Sequence, residues 1–279
     1  MIDDWRSQFH VANAQTDPEF PFGFVQLNAV GAPDLQPAVH CAAPGCVDPF
    51  AYRKGVGYAP LRWAQSAGFG YAPNARQKNT FMAVVLDTVE KQNTGMGNYV
   101  RSPSCPLAAL LAAHDMTLGW LADARNVLQS VHSIYKQPTG ARLATGALAT
   151  VYNETGEQDH TGPVPQRATV DASGEVTIVF GGFRSGFEVR NDGAEFGFEV
   201  YGNGAWHNAT IKRSWESAVP VAGPTATVAL EGSWPKSSYT YVRYLWHSTP
   251  CALLNCPIYS DGSYYKLPAS PFFARVLSM

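Results

Sequence analysis

The sequence has few charged residues. Only 15% of its 279 residues are Asp, Glu, Lys or Arg, and the formal net charge is -2. The basic residues are scattered and form no run, so the chain lacks the positive field that nucleic acid or an anionic membrane would require. It also lacks an apolar run long enough to span a bilayer. These absences exclude nucleic-acid binding and a membrane span.

The start of the chain lacks the pattern of a signal peptide. Met1–Arg6 reads Met-Ile-Asp-Asp-Trp-Arg, with acids where a signal peptide has a basic end and an apolar core. Taken alone, this start predicts a cytosolic protein. The cysteines and glycosylation sequons predict a different compartment.

Cysteine is scarce, but its placement favours an oxidising compartment. Four of the five cysteines form two pairs, Cys41 with Cys46 and Cys251 with Cys256, and each pair encloses a loop that a disulfide can close. Zinc binding is the alternative, but Cys pairs of this spacing without paired histidines make poor zinc sites. We therefore expect two disulfides here rather than a zinc site.

Two sequons agree with a secretory route. Asn153-Glu-Thr and Asn208-Ala-Thr each match the acceptor pattern for an N-linked glycan. We expect glycosylation at Asn153 and Asn208. The full-length protein is predicted to be secreted or lysosomal, although this chain shows no signal peptide.

The sequence is rich in turn-forming and aromatic residues, with 25 Gly, 20 Pro, 14 Phe, 13 Tyr and 7 Trp. Such a composition is typical of short strands joined by many turns. The length suffices for one large or two ordinary domains. The pattern changes after Tyr152, which predicts an α/β domain over 1–152 and a β-rich domain over 153–279.

The first predicted domain contains helical and strand patterns. Asp3–Phe9 and Leu61–Gln65 are typical of helices, and Phe20–Leu27 of a buried strand. Asn79–Asp87 is an almost continuous apolar run that ends in an acid, which predicts a central parallel strand. Acids at the carboxyl ends of such strands lie where α/β sheets bind ligands, so Asp87 is a candidate site residue. The alternative for Asp87 is an N-cap or turn aspartate.

The second predicted domain is a series of short strands separated by Gly, Pro and Asn turns. This pattern predicts a β-sandwich. The predicted strands are Ala168–Val170, Val176–Phe180, Phe196–Tyr201, Thr225–Leu230 and Tyr241–Trp246.

A histidine precedes the last helical pattern of the first domain. Leu143, Ala147 and Val151 are spaced four residues apart, which puts them on one face of a helix. His132 would lie on the loop that enters this helix, a position where general bases are common. The alternative is a solvated loop histidine without a catalytic role.

Short segments spread in order over nearly the whole chain are similar to one known family. They are Met1–Arg6, Phe20–Leu27, Leu61–Gln65, Phe69–Asn74, Asn79–Val84, Ser130–His132, Lys136–Gln137, Arg142–Leu143, Gly162–Pro163, Tyr244–Trp246, Pro250–Cys251, Cys256–Pro257 and Leu267–Phe273. Together they resemble the carboxyl-terminal portion of the sialate O-acetylesterases, which are similar to SGNH (GDSL-like) hydrolases.

The resemblance implies a fold and a reaction. The fold would be α/β, with part of an SGNH-type, flavodoxin-like parallel sheet followed by the β-sandwich-like domain. The reaction would be removal of O-acetyl groups from sugars by acyl transfer through a serine, with no metal or organic cofactor. His132 would be the catalytic base. Where many relatives have an aspartate two positions before this histidine, the chain has Ser130, so Asp87 is the candidate that orients the imidazole.

The sequence departs from the family in its nucleophile. The Gly-Gln-Ser-Asn-like motif and the oxyanion donors of the family do not occur in it, and Ser66, Ser130 and Ser263 lie in unsuitable contexts. An ester hydrolase without these groups loses most of its rate enhancement. The chain as written is therefore expected to be inactive.

A second departure is the stretch 101–129, which the family lacks. Without Val100–Gln129, Gly97-Asn-Tyr would lead directly into Ser130-Val-His at the family's spacing. The stretch is either a real helical insertion or a translated retained intron.

Two other functions compete with the esterase. One is a non-catalytic carbohydrate-binding protein, in which exposed aromatic side chains stack on sugars. The other is a pseudoenzyme with a structural or regulatory partner. The candidate aromatics are Trp206, Trp215, Trp234 and Trp246, although β-sandwich cores also contain many Trp residues. The acetylated sugar or glycan and the oligomeric state remain open.

Overall fold

The computed structural model describes residues 1–12, 16–29, 58–88, 133, 135–154, 156, 159–184, 186–190, 197–219, 223–232, 239–260 and 265–278. Their helices are α1 (Ile2–Ala12), α2 (Tyr58–Gln65) and α3 (Lys136–Val151). Their strands are β1 (Phe22–Val25), β2 (Thr80–Ala83), β3 (Val164–Val170), β4 (Val176–Gly181), β5 (Phe187–Val189), β6 (Phe198–Gly202), β7 (Ala205–Val219), β8 (Gly223–Glu231), β9 (Tyr239–Tyr244), β10 (Ile258–Ser260), β11 (Leu267–Pro268) and β12 (Phe272–Ser278).

Two predicted strands pair in parallel in the first part of the chain. β1 and β2 align from Phe22 opposite Thr80 to Val25 opposite Ala83. Helix α3 packs on this pair, and an added Cβ at Gly146 would lie 3.0 Å from the Phe81 side chain, so a larger residue there would force Phe81 to shift. That the pair belongs to a larger SGNH-type sheet stays a prediction.

Helix α3 buries a different face from the one that the sequence indicates. Its buried residues are Pro138, Arg142 and Gly146, whereas Val151 is 46% exposed. The buried face is defined by an arginine in an ion pair and by a glycine at a close contact. Hydrophobic periodicity detects neither of these.

Seven strands form a closed barrel, in the order β12-β3-β4-β8-β7-β6-β9. The predicted strands exist, but the prediction of a two-sheet sandwich is wrong. The reason is the 15-residue strand β7, which pairs with β6 through Ala205–Ala209 and with β8 through Thr210–Val219, and so joins what would otherwise be two sheets. The barrel closes where Val276–Ser278 of β12 runs parallel to Ala168–Val170 of β3.

The barrel interior is filled by alternate residues of its strands, as the two-residue period of a strand requires. Its fully or almost fully buried members include Val176, Ile178, Phe180, Phe198, Val200, Val228, Val242, Tyr244 and Phe272. A separate three-stranded sheet of order β11-β10-β5 contacts the barrel at Phe187, whose ring centre lies 5.6 Å from that of Phe180. The predicted domain boundary between 152 and 153 stays a prediction.

Candidate active-site region

Asp87 lies four residues past the carboxyl end of β2, which ends at Ala83 and is shorter than the predicted strand Asn79–Asp87. It belongs to a tight turn in which the Thr88 amide donates to the Val85 carbonyl at 3.0 Å. The residue is fully buried. Its neighbours therefore decide what its carboxylate can do.

Both carboxylate oxygens of Asp87 bind one guanidinium. Arg142 donates from Nη1 to Oδ1 at 2.6 Å and from Nη2 to Oδ2 at 2.7 Å, which is a bidentate pair. The same guanidinium donates to the carbonyl oxygens of Val84 and Lys266, at 2.9 Å each. Arg142 thereby fixes α3 to the end of β2 and to the β-rich part of the chain.

A tyrosine from the β-rich part completes the cluster. The hydroxyl of Tyr259 donates to Oδ2 of Asp87 at 3.0 Å and accepts from the Cys256 amide at 2.8 Å. Burial and the negative charge of Asp87 raise the pKa of Tyr259 far above its usual value, so this hydroxyl stays protonated.

The loop beside Tyr259 is closed by a disulfide between Cys251 and Cys256. Within that loop, the Leu254 amide donates to the Asp87 carbonyl at 2.6 Å. The disulfide loop therefore contacts the backbone of Asp87 while Tyr259 contacts its side chain. Cys41 and Cys46, the other predicted pair, lie outside the described residues.

The contacts of Asp87 are those of a structural ion pair between distant parts of the chain. His132, its predicted catalytic partner, lies outside the described residues, so the pairing of the two stays a prediction. The described residue that follows the histidine, Ser133, is buried and accepts from the Tyr135 amide at 2.9 Å just before α3 begins.

A second buried cation, Arg62 of α2, was not singled out from the sequence. Its guanidinium lies at the carboxyl end of β1, where Nε donates to the Leu27 carbonyl and Nη2 to the Asn28 carbonyl, at 2.8 Å each. On its other side it donates to the carbonyl oxygens of His247 at 2.6 Å and Ser248 at 2.9 Å. Arg62 thus connects β1 to the segment that follows β9.

A third buried charged group, which the sequence analysis did not single out, lies on the outer face of the barrel. Arg243 of β9 donates from Nε and Nη2 to the two carboxylate oxygens of Glu199 on β6, at 2.7 Å each. His247 lies 3.3 Å from the same carboxylate. Burial opposes the charged form, but the hydrogen bond from His247 and the charge of Arg243 outweigh it and lower the pKa of Glu199 to about 2.

Ser66, one of the serines with an unsuitable sequence context, is fully buried. Its hydroxyl donates to the Trp63 carbonyl at 2.9 Å and accepts from the Gly70 amide at 2.8 Å, as a turn serine does. Ser130 and Ser263 lie outside the described residues. Within the part of the chain that the structure describes, no three His, Cys, Asp or Glu residues come together as metal ligands.

The fold is shared with a solved carbohydrate acetylesterase. The structure of that protein, from Xanthomonas citri, matches with a TM-score of 0.57 over 98% of this chain and 44% of its own, at 20% sequence identity. At this identity the match shows the fold. The molecule is built like a portion of a carbohydrate acetylesterase.

Sequence comparison agrees with the resemblance. Residues 166–276 match the family model of the sialate O-acetylesterase C-terminal domain. The sialate O-acetylesterases of Mus musculus and Homo sapiens are 27% and 28% identical to this chain over 99% of its length. The chain is thus similar over nearly its whole length to sialate O-acetylesterases, and residues 166–276 match their C-terminal domain, which confirms the resemblance seen in the sequence. It spans 40% and 41% of the length of these two relatives.

Proposed function

We propose that the chain is part of an esterase that removes O-acetyl groups from sugars, and that it supplies the histidine and the scaffold that holds it. The names of the family's relatives support the reaction class. The carrying observation is the attachment of α3, which begins four residues after His132 and is fixed to β2 by the Asp87–Arg142 pair. In the proposal, this fixed helix is the support that would position His132.

In this proposal the neutral imidazole of His132 accepts the proton of a serine hydroxyl as the oxygen attacks the acetyl carbonyl. The tetrahedral intermediate then collapses, the bond to the sugar oxygen breaks, and the histidine delivers the proton to that oxygen. Water hydrolyses the acetyl-serine by the same route. The relatives are longer than this chain, and the proposal places the serine in the part that they have in addition.

The test begins with the full transcript of the locus and the protein that it encodes. We expect the transcript to encode a Gly-Gln-Ser-Asn-like motif and to omit the stretch 101–129. The encoded protein should release acetate from O-acetylated sialic acid or another O-acetylated sugar. His132→Ala should lower kcat by at least about a thousandfold, because the triad then lacks its base, while the control His10→Ala should retain activity. A transcript without the motif, or full activity of H132A, would overturn the proposal.

Predicted secretion stays part of the proposal. No described helix combines the length and the apolar character that crossing a bilayer requires. The proposal is that the protein passes through an oxidising compartment in which both Cys pairs oxidise. Non-reducing peptide mapping of the endogenous protein checks this, since free thiols at Cys251 and Cys256 would contradict it.

Of the aromatics that the carbohydrate-binding alternative names, Trp206 is half-buried against Tyr201 and Arg243, and the more exposed described one is Trp215. Trp246 is fully buried and Trp234 lies outside the described residues, but Trp215 on β7 is 42% exposed, with the Arg213 guanidinium 5.5 Å from its ring centre. If this chain alone binds O-acetylated sugars in titration calorimetry and Trp215→Ala abolishes the heat, sugar binding leads over catalysis. Undetectable binding removes this alternative.

A further inference from the structure

Strand β7 places a complete glycosylation sequon on one face of the barrel. Successive residues of a strand point to opposite faces, so Trp206, Asn208 and Thr210 share one face. The pairing with β6 sets Trp206 opposite Tyr201 and Asn208 opposite Glu199. The neighbours of Glu199 in β6, Phe198 and Val200, are buried in the core, so the face with the sequon is the outer one.

The acceptor side chains are accessible on this face. Asn208 and Thr210 are both exposed. The side-chain amide of Asn208 makes no hydrogen bond with any residue that the structure describes. The sequon is therefore presented to solvent on a strand of fixed register.

Trp206 is held beside the acceptor with part of its surface free. It is half-buried, and its ring centre lies 5.2 Å from that of Tyr201 and 6.1 Å from that of Phe273. The Arg243 guanidinium lies 4.0 Å from the indole centre, and Arg243 is itself fixed by Glu199. These contacts restrict the indole, so a further ligand would pack on it without first ordering it.

The spacing suits a sugar. Side chains two residues apart on a strand are separated by about 6.5–7 Å, about the width of a sugar ring. A sugar linked to Nδ2 of Asn208 that lies back along the strand would cover the exposed surface of Trp206. Aromatic rings contribute large apolar contact areas to such packing.

We propose that Asn208 carries an N-linked glycan whose first N-acetylglucosamine packs on Trp206. The Asn208 amide nitrogen bonds to the anomeric carbon of a lipid-diphosphate-linked oligosaccharide. The bond between that carbon and the diphosphate oxygen breaks, the amide loses one proton, and the lipid diphosphate leaves. The glycan then covers an aromatic surface that is otherwise open to water.

The other sequon provides an internal comparison. Asn153 follows the end of α3 with a left-handed φ of 55° and is exposed, but the residue two positions before it is Val151, on a helix. Asn153 therefore does not have the arrangement of Asn208, in which an aromatic residue two positions earlier lies on the same face of a strand. A glycan at Asn153 should therefore leave the thermal stability unchanged, whereas the glycan at Asn208 should raise it.

The test uses the full chain secreted from mammalian cells behind an added signal peptide. Peptide mapping should find Asn208 occupied, and Thr210→Ala should remove one glycan. An endoglycosidase that leaves the first sugar should keep Tm unchanged. An amidase that removes the whole glycan should lower Tm by about 2–4 °C, the shift of a modest packing loss in a chain of this size.

Trp206 variants separate packing from mere occupancy. In Trp206→Ala, removal of the whole glycan should leave Tm unchanged, and Trp206→Phe should restore part of the shift. If W206A is not secreted, the comparison of W206F with the unsubstituted chain decides, since a smaller ring should give a smaller shift. An unoccupied Asn208 in secreted, folded protein, or equal Tm shifts for all the secreted proteins, would overturn the proposal.

Discussion

Nη1 of Arg62 donates a 2.6 Å hydrogen bond to the carbonyl oxygen of His247, 185 residues further along the chain. Four backbone carbonyls surround this one guanidinium, and the side chain is fully buried. Each buried acceptor that loses its donor costs about 1–3 kcal/mol. Arg62 therefore supplies a large part of the polar contact between α2 and the segment that follows β9, beside the packing of Trp63 on Trp246.

We expect Arg62→Met to lower the free energy of unfolding by at least about 3 kcal/mol, because several buried carbonyls lose their donor together. Arg62→Lys should lose less, since an ammonium group keeps some of the donors. Urea titration measures both. The control is Arg76→Met, an exposed residue in the same part of the chain. Equal stability of R62M and R76M would contradict the role given to Arg62.

The Asp87–Arg142 pair gives a second prediction. Asp87→Asn should lower the free energy of unfolding by about 3–5 kcal/mol, because it leaves the buried Arg142 charge uncompensated. The matched control is Lys212→Met, which breaks the Lys212–Glu175 pair at a lysine that is 46% exposed. That change should stay within about 1 kcal/mol.

The same variant tests whether Asp87 acts beside His132. If Asp87 orients the imidazole, D87N in the active protein should lower kcat by about ten-thousandfold even under conditions where it is fully folded. If its function is the ion pair alone, kcat of the folded fraction should stay unchanged. Circular dichroism and acetate release on the same sample distinguish the two results.

Glu199 makes stability depend on acidity. Its pKa is lowered from 4.5 to about 2 in the folded protein. A carboxyl group whose pKa is lower in the folded than in the unfolded state stabilises the fold. This stabilisation is fully present above the unfolded-state pKa and is lost as the pH falls from that value to the folded-state pKa. The contribution is about 3 kcal/mol. We expect the urea concentration at the unfolding midpoint to decrease as the pH is lowered from about 5 to about 2.

Glu199→Gln should remove this part of the acid dependence, although it lowers stability at all pH values by leaving Arg243 buried without a counter-charge. The exposed Glu216→Gln is the control and should keep the slope of the unsubstituted protein. Parallel pH profiles for E199Q and the unsubstituted protein would show that Glu199 is not the titrating group.

Replacement of glycine by alanine should change the stability in opposite directions at Gly162 and Gly140. A Cβ at Gly162 would lie 2.1 Å from the Pro268 carbonyl oxygen, so Gly162→Ala must displace backbone and should cost about 1–3 kcal/mol. Gly140 lies in α3 with nothing within 4 Å of its added Cβ. Gly140→Ala should raise stability by about 0.5–1 kcal/mol. Thermal unfolding of the two variants measures both, and the same sign for both would contradict the packing described.

The sequence predicted local structure better than the way it assembles. The strands Val176–Gly181 and Tyr239–Tyr244 were predicted because apolar and polar residues alternate in them and turn residues bound them. Strand β7 was missed because its charged stretch, with Lys212 and Arg213, does not resemble a buried strand. The strands of a sandwich and of a barrel show the same alternation of buried and exposed residues. Because β7 was not recognised, the closed barrel could not be predicted.

The site shows the same limit. Asp87 was singled out because an acid ends an apolar run, which is a local signal. Its partners Arg142 and Tyr259 lie 55 and 172 residues away, and no spacing in the sequence connects them. Buried charge pairs are a property of tertiary packing, and for that reason Arg62 and the Glu199–Arg243 pair were also missed.

Closure of the barrel by β12 has a consequence for synthesis. β12 lies between β3 and β9 and is translated after both. Until Phe272–Ser278 emerges from the ribosome, the nascent chain exposes two open strand edges that can pair with neighbouring chains on the same polysome. A premature stop before β12 would leave these edges open permanently. Pairing of β12 with both neighbours therefore removes two open strand edges in one step and hides them from chaperones and proteases.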